Sequence, residues 1–91
     1  DELIPKKYSL SQNYPNPFNP TTTIVYTVPA GIVSLTVYNI LGTEVSTIVQ
    51  GIHDSNTHTV QLDGRNLSSG IYFYILRFRD KEITKKLTIM K

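Results

Sequence analysis

The 91-residue sequence contains no cysteine and no tryptophan. Without cysteine it can form neither a disulfide bond nor a zinc–thiolate site, so its fold depends on packing alone. No apolar run is long enough to cross a bilayer as a helix. Alanine occurs once, and Leu, Glu and Lys do not recur at helical spacing, whereas β-branched and aromatic residues are frequent. The composition favours one small β domain, since a chain of this length can bury one modest core.

Residue arrangements that carry enzymatic chemistry are also missing. The two histidines, His53 and His58, are five residues apart, and a metal site would need Asp54 or Asp63 to join them. The acidic residues are scattered, the serines and threonines have no His–Asp partner pattern, and the glycines occur singly, so they form no phosphate-binding loop. The loop at 54–56 is a faint calcium signature. We therefore predict no catalytic activity, no cofactor and no metal.

Alternating apolar and polar residues, the pattern of half-buried strands, recur along the chain. The inward-facing residues that the pattern predicts are Ile24, Tyr26 and Val28, then Val33, Leu35 and Val37, and later Val60 and Leu62, either with His58 or without it. Turn-forming residues separate these runs every eight to twelve positions. The fold class that follows is all-β, an antiparallel immunoglobulin-like β-sandwich of about seven short strands.

The C-terminal third is predicted to form a hairpin. Residues 71–78 are almost wholly apolar, which is typical of a central strand covered on much of both faces. Asp80-Lys81 is the predicted turn, and residues 82–90 form the last strand, at one edge of the sandwich. Upstream, residues 44–49 are a further strand candidate, and residues 51–56 are polar and rich in turn formers.

Three of the five prolines fall within the seven residues 14–20, Tyr-Pro-Asn-Pro-Phe-Asn-Pro. Proline fixes φ, lacks an N–H, and pushes the preceding residue out of the helical region, so this stretch can be neither helix nor central strand. We expect a stiff, irregular lead-in to the first long strand, held at both ends by an aromatic ring. A polyproline ligand is the alternative, but the prolines are too irregular for a PxxP repeat.

Positive charge is concentrated near the C-terminus. Residues 77–91 contain six basic and two acidic residues, although the net charge of the whole chain is only +2. Lysines on an edge strand prevent sheets from pairing between molecules, and they can equally face an anionic partner. The charges alone do not separate these roles. The hairpin has no aromatic RNA-binding signature, so we predict no nucleic-acid partner.

Four ordered segments resemble one known family. They are residues 10–24 (LSQNYPNPFNPTTTI), 37–45 (VYNILGTEV), 63–74 (DGRNLSSGIYFY) and 84–91 (TKKLTIMK). Together they are similar to the type A C-terminal sorting domain of the type IX (Por) secretion system. The resemblance extends from about residue 8 to residue 91. One departure is Leu62, where many relatives carry an aromatic residue.

The resemblance implies a non-catalytic sorting domain over residues 8–91, at the C-terminus of a larger protein of Bacteroidetes-like bacteria. Its partners would be the cargo domain on its N-terminal side, the outer-membrane translocon, and a sortase that cuts upstream of the domain. The cargo would pass through the periplasm to the cell surface or the medium, with possible attachment to anionic lipopolysaccharide. Residues 1–7 are expected to be a mobile linker end, and the absence of an initiator Met suggests a piece of a longer precursor.

We predict that the last strand is recognised by the translocon, because an exposed edge strand can form main-chain hydrogen bonds with a partner. The predicted contact residues are Lys85, Lys86, Leu87, Ile89 and Lys91. The residues assigned to the family motif and its support are Tyr14, Pro15, Asn16, Pro17, Phe18, Asn19, Pro20, Gly42, Asp63, Gly64, Gly70 and Tyr72.

The alternative function is a carbohydrate-binding or adhesion module attached to an extracellular enzyme. The six tyrosines and three phenylalanines suggest it, because sugar-binding modules present flat aromatic platforms. Such platforms usually include Trp, which is absent, and Tyr26, Tyr72 and Tyr74 fall in core-like strands. Buried rings with a hydrogen-bonded hydroxyl explain these tyrosines more simply.

Overall fold

The structure, a computed structural model, describes residues 8–91 and consists of two antiparallel sheets. The first sheet contains β1 (Ser9–Leu10), β2 (Thr21–Val28) and β5 (Asn56–Asp63), in that order. The order in the second sheet is β4-β3-β6-β7, formed by β4 (Glu44–His53), β3 (Gly31–Asn39), β6 (Gly70–Phe78) and β7 (Lys81–Ile89). Nothing helical in this part of the chain is long and apolar enough to span a membrane. The predicted linker at residues 1–7 lies outside the described residues.

The predicted fold class is confirmed, because the inner faces of the two sheets form one core. Every second residue of β2, β3 and β6 points inward, as the pleat requires, whereas β4 has no fully buried residue and its pairing with β3 is shifted at two places. The buried hydrophobic side chains are Leu10, Phe18, Ile24, Tyr26, Val28, Val33, Leu35, Val37, Leu62, Tyr72, Tyr74, Leu76, Phe78, Leu87 and Ile89. The predicted inward sets of the first two long strands are all among them, whereas Val60 is only partly buried.

Three local predictions were wrong. β6 is covered on one face only: Ile71, on its outer face, is 44% exposed, because no layer packs on that side within residues 8–91. The hairpin turn is Arg79-Asp80 rather than Asp80-Lys81, since Phe78 pairs with Lys81. β4 continues through residues 51–53, where pairing with the start of β3 overrides the polar, turn-rich composition.

The strand ends define two ends of the sandwich. At the end we call the motif end lie the Pro segment (residues 12–20), the β3–β4 turn (39–43), the β5–β6 loop (63–70) and the last residues, 88–91. The β2–β3, β4–β5 and β6–β7 connections lie at the opposite end. Tyr8 is also at the opposite end, where its hydroxyl donates to the Leu76 carbonyl at 2.9 Å and its ring centroid is 6.0 Å from that of Phe78.

Candidate functional site

The Pro segment joins the two sheets at the motif end. Tyr14 and Thr23 of β2 form an isolated antiparallel bridge, with amide-to-carbonyl distances of 3.0 and 2.9 Å. The Phe18 amide donates to the Thr88 carbonyl at 3.1 Å, and the Phe18 carbonyl accepts from the Met90 amide at 3.1 Å. The segment therefore connects the start of β2 to the end of β7. The peptide bonds preceding Pro15, Pro17 and Pro20 are cis.

Only one of the two rings in the Pro segment is an anchor. Phe18 is 2% exposed and belongs to the core, whereas Tyr14 is 80% exposed. The prediction of an aromatic clamp at both ends is therefore half wrong. The reason is alternation along the bridge: Asn13 faces the core, so Tyr14, the next residue, projects into solvent. Of the other motif residues, Pro15, Asn16, Pro17, Asn19 and Pro20 are exposed.

A buried polar network holds the start of the Pro segment. The Asn13 amide donates to the Tyr74 hydroxyl at 2.8 Å, and that hydroxyl donates to the Ser11 carbonyl at 2.7 Å. The Asn13 side-chain amide donates to the Thr22 hydroxyl at 3.0 Å, and this hydroxyl in turn donates to the Pro15 carbonyl at 2.8 Å. Burial raises the pKa of Tyr74 to about 12, because the ionised hydroxyl would lose its solvation.

Sequence analysis missed Asn13 and Thr22 as members of this network. A signal for Thr22 was present, because it has the same strand parity as the inward-facing residues Ile24 and Tyr26. Asn13 carries no such signal: its burial depends on Tyr74, which is 61 positions away in the sequence.

The β5–β6 loop packs under the Pro segment through Gly64. The Gly64 amide donates to the Pro20 carbonyl at 2.7 Å. A Cβ placed on Gly64 would lie 3.1 Å from Phe18 Cε2 and 3.2 Å from Ile89 Cδ1, both in buried side chains. The preceding residue, Asp63, accepts from the backbone and guanidinium of Arg65, which holds the pKa of its carboxyl below the usual range.

We expect Gly64→Ala to destabilise the domain by about 1–2 kcal/mol, because the added methyl group overpacks the contact with Phe18 and Ile89. Urea unfolding followed by circular dichroism would measure this change. If the contact is the cause, the substitution should cost less in an Ile89→Val background, which opens space at the same place. An equal cost in both backgrounds would point to the backbone of the loop instead.

The remaining support residues lie in or next to the β5–β6 loop and the β3–β4 turn. The Tyr72 hydroxyl donates to the Ser68 carbonyl at 2.8 Å, four residues upstream. This is the tyrosine-corner arrangement of immunoglobulin-like sandwiches, in which a Tyr at the start of a strand fixes the preceding loop. Gly70 begins β6, and Gly42 has a φ of +83° in the β3–β4 turn, as the sequence predicted for that position.

The last strand lies at a sheet edge, as predicted, but much of that edge is already paired. The Lys86 carbonyl accepts from Gln12 Nε2 at 2.6 Å, and the Thr88 amide donates to Asn16 Oδ1 at 3.0 Å. The backbone of Phe18 hydrogen-bonds to the Thr88 carbonyl and to the Met90 amide. The folded domain therefore cannot accept a partner strand along residues 86–90, because its own Pro segment forms those hydrogen bonds.

The five predicted contact residues divide into two groups. Leu87 and Ile89 are 0% and 1% exposed, so their side chains belong to the core and are not available to a partner. Lys86 and Lys91 are exposed and Lys85 is partly exposed. The Lys91 amide donates to Ser69 Oγ at 3.0 Å, and its ammonium donates to the Arg65 carbonyl at 2.7 Å, so the chain end is held against the β5–β6 loop.

The remaining chemistry is at the opposite end. The Tyr26 hydroxyl and His53 Nε2 are 2.8 Å apart, and the His53 and His58 rings meet edge to face with centroids 4.7 Å apart. No group of three or more His, Cys, Asp or Glu residues within residues 8–91 is arranged to hold a metal ion. The three tyrosines expected in core strands, Tyr26, Tyr72 and Tyr74, are buried, so they offer no flat platform to a sugar.

Comparison with protein-family models finds a match over most of the chain. The family model described as a secretion system C-terminal sorting domain matches residues 12–90. No curated protein matches the sequence. The matched region contains the Pro segment, both loops of the motif end and the whole of β7.

Proposed function

Since the chain belongs to the family of secretion system C-terminal sorting domains, we propose that its motif end is recognised by the translocon that carries an attached cargo across the outer membrane. The family function is that of a C-terminal sorting signal for type IX secretion, with the cargo on the N-terminal side. In this proposal the domain itself is non-catalytic and a partner protein binds it. A sortase then cuts upstream, and the cargo reaches the surface or the medium after periplasmic transit. In this proposal, cargo that stays on the cell surface is attached to anionic lipopolysaccharide.

The observation that carries the proposal is the position of the four family segments. Although they are spread from residue 10 to residue 91, the Pro segment, both loops and the end of β7 meet at the motif end. Tyr8, the described residue closest to the N-terminal side, lies at the opposite end. A cargo that joins there leaves the motif end accessible to a partner.

The experiment that tests this proposal is a fusion of residues 1–91 to the C-terminus of a periplasmic fluorescent protein. It would be expressed in a bacterium with an intact type IX system and in a translocon-deficient strain. We expect fluorescence outside the outer membrane only in the intact strain. Retention of a folded, uncleaved fusion in the periplasm of both strains would contradict the proposal. Saturable binding of polysaccharides by the purified domain would then favour the carbohydrate-binding alternative.

Within the recognised surface, we propose that Lys85, Lys86 and Lys91 contact the translocon while Leu87 and Ile89 hold the strand in place. Replacing Lys86 and Lys91 together by Gln is expected to lower the exported fraction about five- to tenfold, because exposed charges govern the rate of encounter with an anionic partner.

Arg79→Gln with Lys81→Gln is the matched control, since it removes the same charge at the opposite end. Both pairs are exposed, and we expect each to change the free energy of unfolding by less than about 1 kcal/mol. Equal export of the two double variants would show that the position of the charge does not matter.

A further inference from the structure

Exposed hydrophobic side chains are distributed unevenly over the sandwich. Seven large hydrophobic residues within residues 8–91 are exposed. Two of them, Ile32 and Ile52, lie side by side near the opposite end. The other five lie at the motif end and are Tyr14, Ile40, Leu41, Ile71 and Met90. Concentrated apolar exposure on a small soluble domain marks a place where another molecule binds.

Three of these residues, Ile40, Ile71 and Met90, are neighbours on one face, and Leu41 follows Ile40 in the turn; we call these four residues the apolar row. Ile40 and Ile71 line one shallow cleft, together with Ser68, Ser69, Gly70 and Tyr72. Ile71 pairs with Thr88 across β6 and β7, so Met90, two residues further on the same face, is the diagonal neighbour of Ile71. The row therefore crosses the outer face of the four-stranded sheet at its motif end.

The fold does not require apolar residues in the β3–β4 turn. The Asn39 carboxamide oxygen accepts from the backbone amides of Leu41 and Thr43 at 2.9 and 3.0 Å, and Gly42 supplies the positive φ. These groups build the turn by themselves. Ile40 and Leu41 are 70% and 85% exposed, so their side chains contribute little to the core. Polar residues would serve the turn equally well.

The charges around the row have one dominant sign. Lys86 is exposed on β7, opposite Phe73 of β6, and Lys91 is exposed next to the β5–β6 loop. Among the described residues, this end carries two side-chain carboxylates: Asp63 forms an ion pair with Arg65, and Glu44 accepts from the Thr47 hydroxyl at 2.7 Å and keeps its charge. Two lysines against one unpaired carboxylate leave a positive balance. The surface is apolar at its centre and basic at its margin, and it is complementary to an apolar groove with a carboxylate rim.

We propose that the apolar row is inserted into such a groove on a protein of the secretion machinery, with Ile40 and Leu41 as the anchoring side chains. The inference rests on the proposed function and adds to it the surface that is recognised. A protein groove fits better than a lipid surface, because anionic membranes are bound by clusters of about four to eight basic residues. The exposed basic residues described at this end are Lys86, Lys91 and Arg65, and Arg65 is paired with Asp63.

The test compares two double variants of the fluorescent fusion in the intact strain. Ile40→Ser with Leu41→Ser removes the anchors, and Ile32→Ser with Ile52→Ser makes the same chemical change at the opposite end. We expect the first pair to lower the exported fraction about tenfold, the effect of losing about 1.4 kcal/mol of binding. The second pair should leave export within about twofold, and circular dichroism should show both purified domains folded at the growth temperature.

Each result has a distinct meaning. If the wild-type fusion is exported but both variant pairs are exported equally well, or equally poorly, the apolar row is not the docking surface and the sorting function still stands. If the wild-type fusion is not exported, the sorting function itself fails.

A second experiment separates a protein groove from a lipid surface: the purified domain would be sedimented with phosphatidylglycerol vesicles. Co-sedimentation that Ile40→Ser with Leu41→Ser abolishes would overturn a protein groove in favour of a lipid surface.

Discussion

Phe18→Ala is expected to lower the free energy of unfolding by about 3–4 kcal/mol, the usual cost of truncating a buried Phe. Phe18 is 2% exposed and is the hydrophobic side chain by which the Pro segment enters the core, where it lies against Gly64 and Ile89. For a domain of this size, the loss corresponds to a fall in melting temperature of about 15–25 °C. Urea and thermal unfolding of the purified chain would measure it.

Tyr14→Ala provides the matched control, because it truncates the other ring of the same segment. At 80% exposure, Tyr14 should contribute less than about 0.5 kcal/mol. Phe18→Leu, which keeps most of the buried volume, is expected to cost about 1 kcal/mol. Similar losses for Phe18→Ala and Tyr14→Ala would contradict the single-anchor arrangement.

The second large effect is a loss of stability in alkaline solution. The Tyr74 hydroxyl has a pKa of about 12 in the folded domain and about 10 in the unfolded chain. Between these values the unfolded state binds fewer protons than the folded state, so stability falls as pH rises. The stability present below pH 10 should decrease by about 2–3 kcal/mol by pH 12, at about 1.4 kcal/mol per pH unit. Burial also raises the pKa of Tyr8 and Tyr26, which adds to the loss in the same direction.

Tyr74→Phe separates this contribution from the others. At neutral pH the substitution should cost about 1–3 kcal/mol, because it leaves the Asn13 amide and the Ser11 carbonyl without their shared partner. Above pH 10 the variant should lose stability less steeply than the wild type, since one titrating hydroxyl is gone. Urea unfolding at intervals from pH 8 to about pH 12 gives both quantities. Parallel curves for the two proteins would rule out Tyr74 as the source of the pH dependence.

The two predictions concern the same part of the molecule that we propose is recognised. Phe18 and Tyr74 hold the Pro segment, and the Pro segment covers the outer edge of β7 from Lys86 to Met90. Folding therefore closes this edge, while Lys86 and Lys91 stay exposed. Under the proposed function, Phe18→Ala should block export at temperatures where the domain unfolds and permit it where the domain is folded. Export that is independent of folding would indicate recognition of a linear segment.

Much of the fold could be predicted because its signals are local. Alternation placed Ile24, Tyr26 and Val28 on one face, and the same rule located the inner residues of β3. A strand has a side-chain period of two, so a few consecutive residues are enough to fix which face is buried. The motif segments were also visible in the sequence, and the family match over residues 12–90 agrees with them.

Predictions failed where a contact joined residues far apart in the chain. Asn16 bonds to Thr88 and Gln12 to Lys86, across 72 and 74 positions, and no local pattern shows that these residues meet. The sequence alone determined the all-β sandwich, the inner faces and the motif. Tertiary structure decided that Phe18 rather than Tyr14 is the anchor, that the end of β7 is covered, and that the motif segments share one end. The reason is physical: alternation fixes each strand's faces, whereas the docking of an irregular segment depends on partners that only the folded chain brings together.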